Sequence, residues 1–134
     1  MFKYTANSIF VQTKKMAKNI LIVDDEFEVC KLIESILKKQ GYKSRVAMNG
    51  AQALDFIEAG EKFDLITLDI MMPTLSGYDL LRLLREKVSH KSKVVYVTII
   101  PKQEVDMSNI DGFVQKPFDT ETFISEIKRV LKAK

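Results

Sequence analysis

A chain of 134 residues with 46% hydrophobic and 29% charged residues has the size and balance of one globular domain, which excludes the disordered and collagen-like classes. The net charge of +3 comes from 21 basic and 18 acidic residues with no long block of one sign, so it leaves no electrostatic footprint for nucleic acid. One cysteine, Cys30, excludes an internal disulfide framework and a thiolate metal site, and no run of about eighteen apolar residues marks a membrane span, so a soluble protein of the reducing cytoplasm is expected.

Residues 1–16 lack the apolar stretch and small-residue cleavage site of a secretory signal. They are set aside as an N-terminal arm or tag-like extension, with Phe2, Tyr4, Ile9 and Phe10 as the residues through which it would pack and Met16 as an alternative start. Residues 17–134 are expected to form one domain. Ile20 to Val23 reads as the first strand, and Glu26 to Gln40 as a helix with Val29, Leu32, Ile33, Ile36 and Leu37 on one face and Gly41 as its stop. Tyr42 to Met48 is the second strand, Asn49-Gly50 a turn, and Ala51 to Ala59 a short helix carrying Ala53, Leu54 and Ile57 inward. Asp64 to Leu68 is the third strand and delivers Asp69 at its end. After the breakers Pro73 and Gly77, Tyr78 to Val88 is a helix with Leu80, Leu81, Leu83 and Leu84. Val94 to Thr98 is the fourth strand, and Pro101 interrupts any helix starting directly after it, leaving Val105, Met107 and Ile110 as inward candidates in a weak element. Gly112 to Gln115 is the fifth strand, and Asp119 or Thr120 caps a last helix with the stripe Phe123, Ile127, Val130 and Leu131. Alternating strands and helices predict an α/β fold with a five-stranded parallel sheet.

In an open parallel sheet, ligands gather outside the carboxyl ends of the strands. Asp24, Asp25 and Glu26 follow the first strand, Asp69 the third and Lys116 the fifth, while Thr98 ends the fourth. Carboxylates about 4 Å apart at an effective dielectric of 20 repel by roughly 4 kcal/mol per pair, so three together cost on the order of 12 kcal/mol, comparable with the stability of a whole domain. Protonation can offset that, and so can Mg²⁺, which takes one or two carboxylates, waters and phosphate oxygens. Lys116 adds a compact positive charge. A carboxylate in such surroundings can act as a nucleophile on phosphorus, and the Thr98 hydroxyl can bond a phosphoryl oxygen.

These residues resemble the receiver domain of two-component response regulators, the phosphoacceptor partner of a histidine kinase. The resemblance runs from about Lys18 to Lys132 and rests on LIVDDE at 21–26, LDIMMPTLSG at 68–77, VYVT at 95–98 and FVQKPF at 113–118. It implies a doubly wound CheY-like (flavodoxin-like) sheet of order 2-1-3-4-5 with helices on both faces. It further implies that Asp69 accepts the phosphoryl group, that Asp25 ligates Mg²⁺ or Mn²⁺ directly with Asp24 in support, and that the backbone carbonyl of Met71 is another ligand. Thr98 and Phe113 match the family's switch pair, Lys116 matches the lysine that contacts phosphate, and Lys116-Pro117 is a candidate cis bond. The implied partners are a histidine kinase or phosphotransfer protein and a downstream protein, with a homodimer as a further association. The chain would catalyse at most its own phosphorylation and dephosphorylation, as a stand-alone receiver or a piece of a longer regulator. Two departures stand out: Ile99 where the family has a small residue, and a stretch from Thr98 to Lys116 about four residues short, which predicts a short, irregular or missing fourth helix.

Plainer readings stand beside these. Asp24 and Asp25 suit a solvated helix N-terminus, Lys116 a surface lysine, Thr98 an ordinary strand residue and Phe113 a core aromatic. Met71 and Met72 read as loop packing, His90 as solvated and Cys30 as packing. A pseudo-receiver that binds a partner without phosphorylation is the alternative function, motivated by Ile99 and the short segment. A haloacid dehalogenase-like phosphatase would carry a second aspartate where Met71 stands, and a flavin-binding relative would want a Ser/Thr/Gly-rich loop in place of DDEFE.

Overall fold

The computed structural model describes residues 17–87 and 92–133. The arm at 1–16, His90 and the end of the third helix at Val88 lie outside the described residues.

Nine longer elements keep the expected order: β1 (Asn19–Val23), α1 (Phe27–Lys39), β2 (Lys43–Ala47), α2 (Gly50–Glu58), β3 (Leu65–Leu68), α3 (Gly77–Lys87), β4 (Lys93–Thr98), β5 (Gly112–Gln115) and α4 (Thr120–Lys132). The sheet is parallel throughout, in the order β2-β1-β3-β4-β5. Its two faces bury separate apolar layers. Ile20, Ile22, Leu65, Val95 and Val97 meet Cys30, Ile33 and Leu37 of α1 and Phe123 and Ile127 of α4. Leu21, Val23, Ile66, Leu68 and Tyr96 meet Ala53 and Ile57 of α2 and Leu80 and Leu84 of α3. Strands covered on both sides read as continuous apolar runs, and β1, β3 and β4 do. Among the described residues, no helix is long and apolar enough to cross a membrane.

Two inward assignments differ in detail. Leu32 is 48% exposed, because the face of α1 against the sheet runs through Cys30, Ile33 and Leu37, and residue 32 lies about 100° from 33 around the helix. On α4, Ile124 joins Phe123, Ile127 and Val130 in the buried stripe. The Asp119 carboxylate caps that helix by accepting the Thr122 amide at 2.7 Å.

The connection from β4 to β5 holds only a 3-10 turn at Lys102–Glu104, as the short spacing and Pro101 predict. In place of a helix, side chains of α3 fasten this loop: the Tyr78 hydroxyl accepts the Asp106 amide at 3.3 Å, and Arg85 donates to the Asn109 carbonyl at 3.1 Å. Val105 is buried, with Met107 and Ile110 half-buried against the same apolar layer.

Within β3, the Thr67 hydroxyl is buried with no hydrogen-bond partner. Alternation along the strand puts it on the Leu65 side, toward α1 and α4. Replacing Thr67 with valine keeps the shape and removes the unsatisfied group, so Thr67→Val is expected to stabilise the fold by about 1 kcal/mol. A urea midpoint that rises bears this out; one that falls means that the hydroxyl is satisfied in solution.

Candidate functional site

Backbone bonds that continue the sheet ladder one residue past each strand pin the expected site residues in place. The Asp24 amide donates to the Ala47 carbonyl (3.2 Å), the Asp69 amide to Val23 (3.0 Å) and the Lys116 amide to Thr98 (2.8 Å). Three segments distant in sequence thereby end together at the carboxyl edge of the sheet. Lys116-Pro117 is a cis peptide bond.

Asp24 and Asp69 are bound in matching ways. One oxygen of each accepts the amide two residues ahead, Glu26 onto Asp24 Oδ1 at 2.9 Å and Met71 onto Asp69 Oδ1 at 3.1 Å. The other oxygen of each accepts the Lys116 ammonium, at 2.8 Å for Asp24 and 3.1 Å for Asp69. All three side chains are buried, with 8% of Lys116, 2% of Asp24 and 5% of Asp69 exposed. A third contact runs from Lys116 to Glu26 Oε1 at 3.1 Å. Asp25 is exposed, yet carboxylate oxygens of Asp24, Asp25 and Asp69 lie within 4.8 Å of one another. Ligand oxygens around Mg²⁺ sit about 3 to 4 Å apart, so a small contraction brings this all-oxygen set to the geometry that the ion requires.

Charge within the cluster is unbalanced, with four carboxylates around one ammonium. Burial raises the Asp24 carboxyl above its ordinary value, and the bonds from Lys116 and the Glu26 amide only partly offset this. Burial alone would lower the lysine, but Asp24, Glu26 and Asp69 outweigh it and hold the ammonium charged well above its usual range. Beneath the site, the Cys30 thiol donates to the Asp24 carbonyl at 3.3 Å, and burial, helped by the charge of Asp24, pushes its pKa up to about 11. Such a thiol packs rather than reacts, as the sequence suggested.

The loop that carries Asp69 is tightly built. The Leu75 amide reaches the Pro73 carbonyl at 2.7 Å across Thr74, whose φ of 70° is a strained value for a residue with a side chain. Ser76 then caps α3 by accepting the Asp79 amide at 3.2 Å. Gly77 packs against the Asp69–Ile70 backbone so closely that an added Cβ would lie 2.7 Å from the Ile70 Cα. Gly77→Ala must therefore displace the segment bearing Asp69. A loss of about 2 kcal/mol is expected in urea unfolding, together with weaker Mg²⁺ binding. Unchanged values for both would mean that the loop yields freely.

The remaining expected residues stand around this centre. Thr98 is fully buried, and its hydroxyl accepts the Ile100 amide in a long bond of 3.4 Å rather than bonding an aspartate. Phe113 is half-buried against the α2/α3 layer, and its amide donates to Glu126 Oε2 of α4 at 2.9 Å. Met71 is 54% exposed and Ile99 57% exposed, while Met72 is buried. Two contacts escaped the sequence reading: Glu26 on Lys116, for which the DDE run was the available signal, and Glu126 on the Phe113 amide, for which nothing local signals.

A family profile described as the response regulator receiver domain matches residues 20–128. The chain belongs to that family. Receiver domains are the signalling modules of two-component response regulators and not enzymes in the ordinary sense. The chain is 33% identical over 118 residues to the transcriptional regulatory protein CpxR of Escherichia coli K12, covering 84% of this chain and 49% of CpxR. It is 34% identical over 122 residues to the probable transcriptional regulator ycf29 of Porphyra purpurea, covering 87% of this chain and 57% of that protein. The chain thus spans about half the length of the curated relatives it matches. Among solved structures, the chemotaxis response regulator CheY4 of Vibrio cholerae superposes with a TM-score of 0.77 at 27% identity, covering 86% of this chain and 99% of CheY4. The response regulator TrrA of Thermotoga maritima, solved in complex with Mg²⁺ and BeF, gives 0.75 at 30% identity, covering 84% of this chain and 98% of TrrA.

Proposed function

We propose that this receiver takes a phosphoryl group onto Asp69 from the phosphohistidine of a histidine kinase or phosphotransfer protein. The observation that carries this is the Lys116 ammonium shared between Asp69 and Asp24, with Asp25 close enough to complete an all-oxygen cation site. Asp24, Asp25, Asp69 and the Met71 backbone carbonyl would hold Mg²⁺ or Mn²⁺, which supplies charge neutralisation at the transferring group. One oxygen of Asp69 attacks phosphorus. The P–N bond of the donor breaks, its electron pair leaves with the imidazole, which takes up a proton, and an acyl phosphate remains on the protein.

Lys116 keeps its proton and contacts the new phosphoryl oxygens. Thr98 then exchanges its long bond to the Ile100 amide for a phosphoryl oxygen, and Phe113 moves with it as the second half of the switch. Phe27 at the start of α1, and Met71 and Ile99 on the loops after β3 and β4, are all exposed around the site, which suits a partner whose apolar surface surrounds its histidine. The protein would work in the cytoplasm, catalyse only its own phosphorylation and dephosphorylation, contact neither nucleic acid nor membrane through this chain, and pass the signal to a downstream protein or a second copy of itself.

Amide NMR of the protein titrated with Mg²⁺ and beryllofluoride, a phosphoryl mimic, tests site and switch together. The expected result is a shift at Thr98 and Phe113 as well as around Asp69 that is lost in Asp69→Asn. Shifts confined to the Asp69 loop would remove the switch pair, and shifts that persist in Asp69→Asn would move the acceptor elsewhere.

A further inference from the structure

Lys116 makes three hydrogen bonds through an ammonium that has three protons, so none is free for a phosphoryl oxygen. Its acceptors are unequal. Asp24 and Asp69 are buried, whereas the Glu26 side chain is 60% exposed. Glu26 occupies the N-cap position of α1 without capping it, and its carboxylate reaches instead to the lysine at 3.1 Å. The bond to Glu26 is the one that yields most easily, because water solvates the released carboxylate and exposed ion pairs hold weakly, while buried pairs break at high cost.

We propose that Glu26 is a positioning residue that holds the Lys116 ammonium until the phosphoryl group arrives, and that a phosphoryl oxygen then takes the proton bond Glu26 gives up. This rests on the reading of Asp69 as the acceptor. No proton leaves the lysine in the exchange. With acetyl phosphate as donor, a bond forms between an Asp69 oxygen and phosphorus while the phosphorus bond to the acetyl oxygen breaks, and acetate leaves with the electron pair. Glu26 has two opposed effects on this step. Its negative charge adds to the attraction of the aspartate cluster for a cation, but it repels the anionic donor and occupies the lysine.

Glu26→Gln keeps the length and an acceptor oxygen but removes the charge. Its Mg²⁺ dissociation constant, measured by calorimetry without donor, should rise about 3-fold, and its rate of phosphorylation by acetyl phosphate at saturating Mg²⁺ should also rise about 3-fold. A residue of merely structural importance would not weaken cation binding and speed the reaction at once. Glu26→Asp keeps the charge but is one methylene shorter, so it should release the lysine while leaving Mg²⁺ affinity unchanged. The ammonium signal of Lys116, followed by NMR in the cation-free protein, should move in both variants. An unchanged lysine signal in both overturns the proposal. So does a Glu26→Gln rate that falls together with Mg²⁺ affinity, which would make Glu26 a cation ligand. Should the wild type take up no phosphoryl group, the Asp69 reading fails on its own, and the lysine signal still decides whether Glu26 holds Lys116.

Discussion

Asp69→Asn is expected to lose phosphoryl uptake entirely while becoming more stable without Mg²⁺, by about 1 kcal/mol. The two effects share one cause. Asparagine has the shape of aspartate but one acceptor oxygen where the carboxylate has two, so it keeps the 3.1 Å bond to the lysine and gives up the one to the Met71 amide, a smaller loss than the repulsion it relieves. The nucleophilic charge disappears, and with it the repulsion from Asp24 and Asp25, whose carboxylate oxygens lie within 4.8 Å. Affinity for Mg²⁺ should fall by about 10-fold or more, since one of three carboxylates has been neutralised. Intact mass after phosphodonor treatment, urea unfolding and calorimetric Mg²⁺ titration read the three effects separately. A variant that is destabilised by the change would mean that Asp69 contributes more through its pairing with Lys116 than it costs through repulsion.

Lys116→Met should act in the opposite sense. It keeps much of the stem and deletes the cation on which Asp24 and Asp69 both depend, leaving buried carboxylates uncompensated. A loss of about 3 kcal/mol at neutral pH is expected in the absence of divalent cations. Asp24, whose carboxyl burial already raises, then takes up a proton more readily. Because the folded protein binds that proton where the unfolded chain does not, stability falls as pH rises, and the deficit should be larger at neutral pH than in mild acid. Mg²⁺ should restore much of it, since a ligand at about 100 times its dissociation constant adds about 2.7 kcal/mol. Urea midpoints with and without Mg²⁺, at two pH values, check the sign. Equal stability of variant and wild type under all four conditions would mean that Lys116 does not neutralise the cluster.

The meeting of Asp24, Asp69 and Lys116 was legible because topology, not local sequence, brings them together. Once apolar runs and helical stripes give a parallel sheet, residues just past the strands converge whatever their separation along the chain. Pro101 and the short spacing before β5 likewise pointed to a short, irregular or missing helix there, and the structure has a 3-10 turn. Contacts made by long side chains to distant backbone carry no such periodicity. Glu126 takes the Phe113 amide, and Tyr78 and Arg85 fasten the loop after β4, through bonds whose partners lie 13 to 28 residues away. Glu26 shows the limit most clearly. At the start of a helix its charge suits the dipole, and topology places it at the same edge as Lys116, but the 3.1 Å bond between them depends on side-chain reach that no pattern in the sequence reports.

Intact mass spectrometry of the wild type after incubation with acetyl phosphate and Mg²⁺ tests the central claim most directly. One added phosphoryl group is predicted, absent when Mg²⁺ is chelated and absent in Asp69→Asn. No added mass on the wild type, under conditions that label another receiver domain, would contradict it.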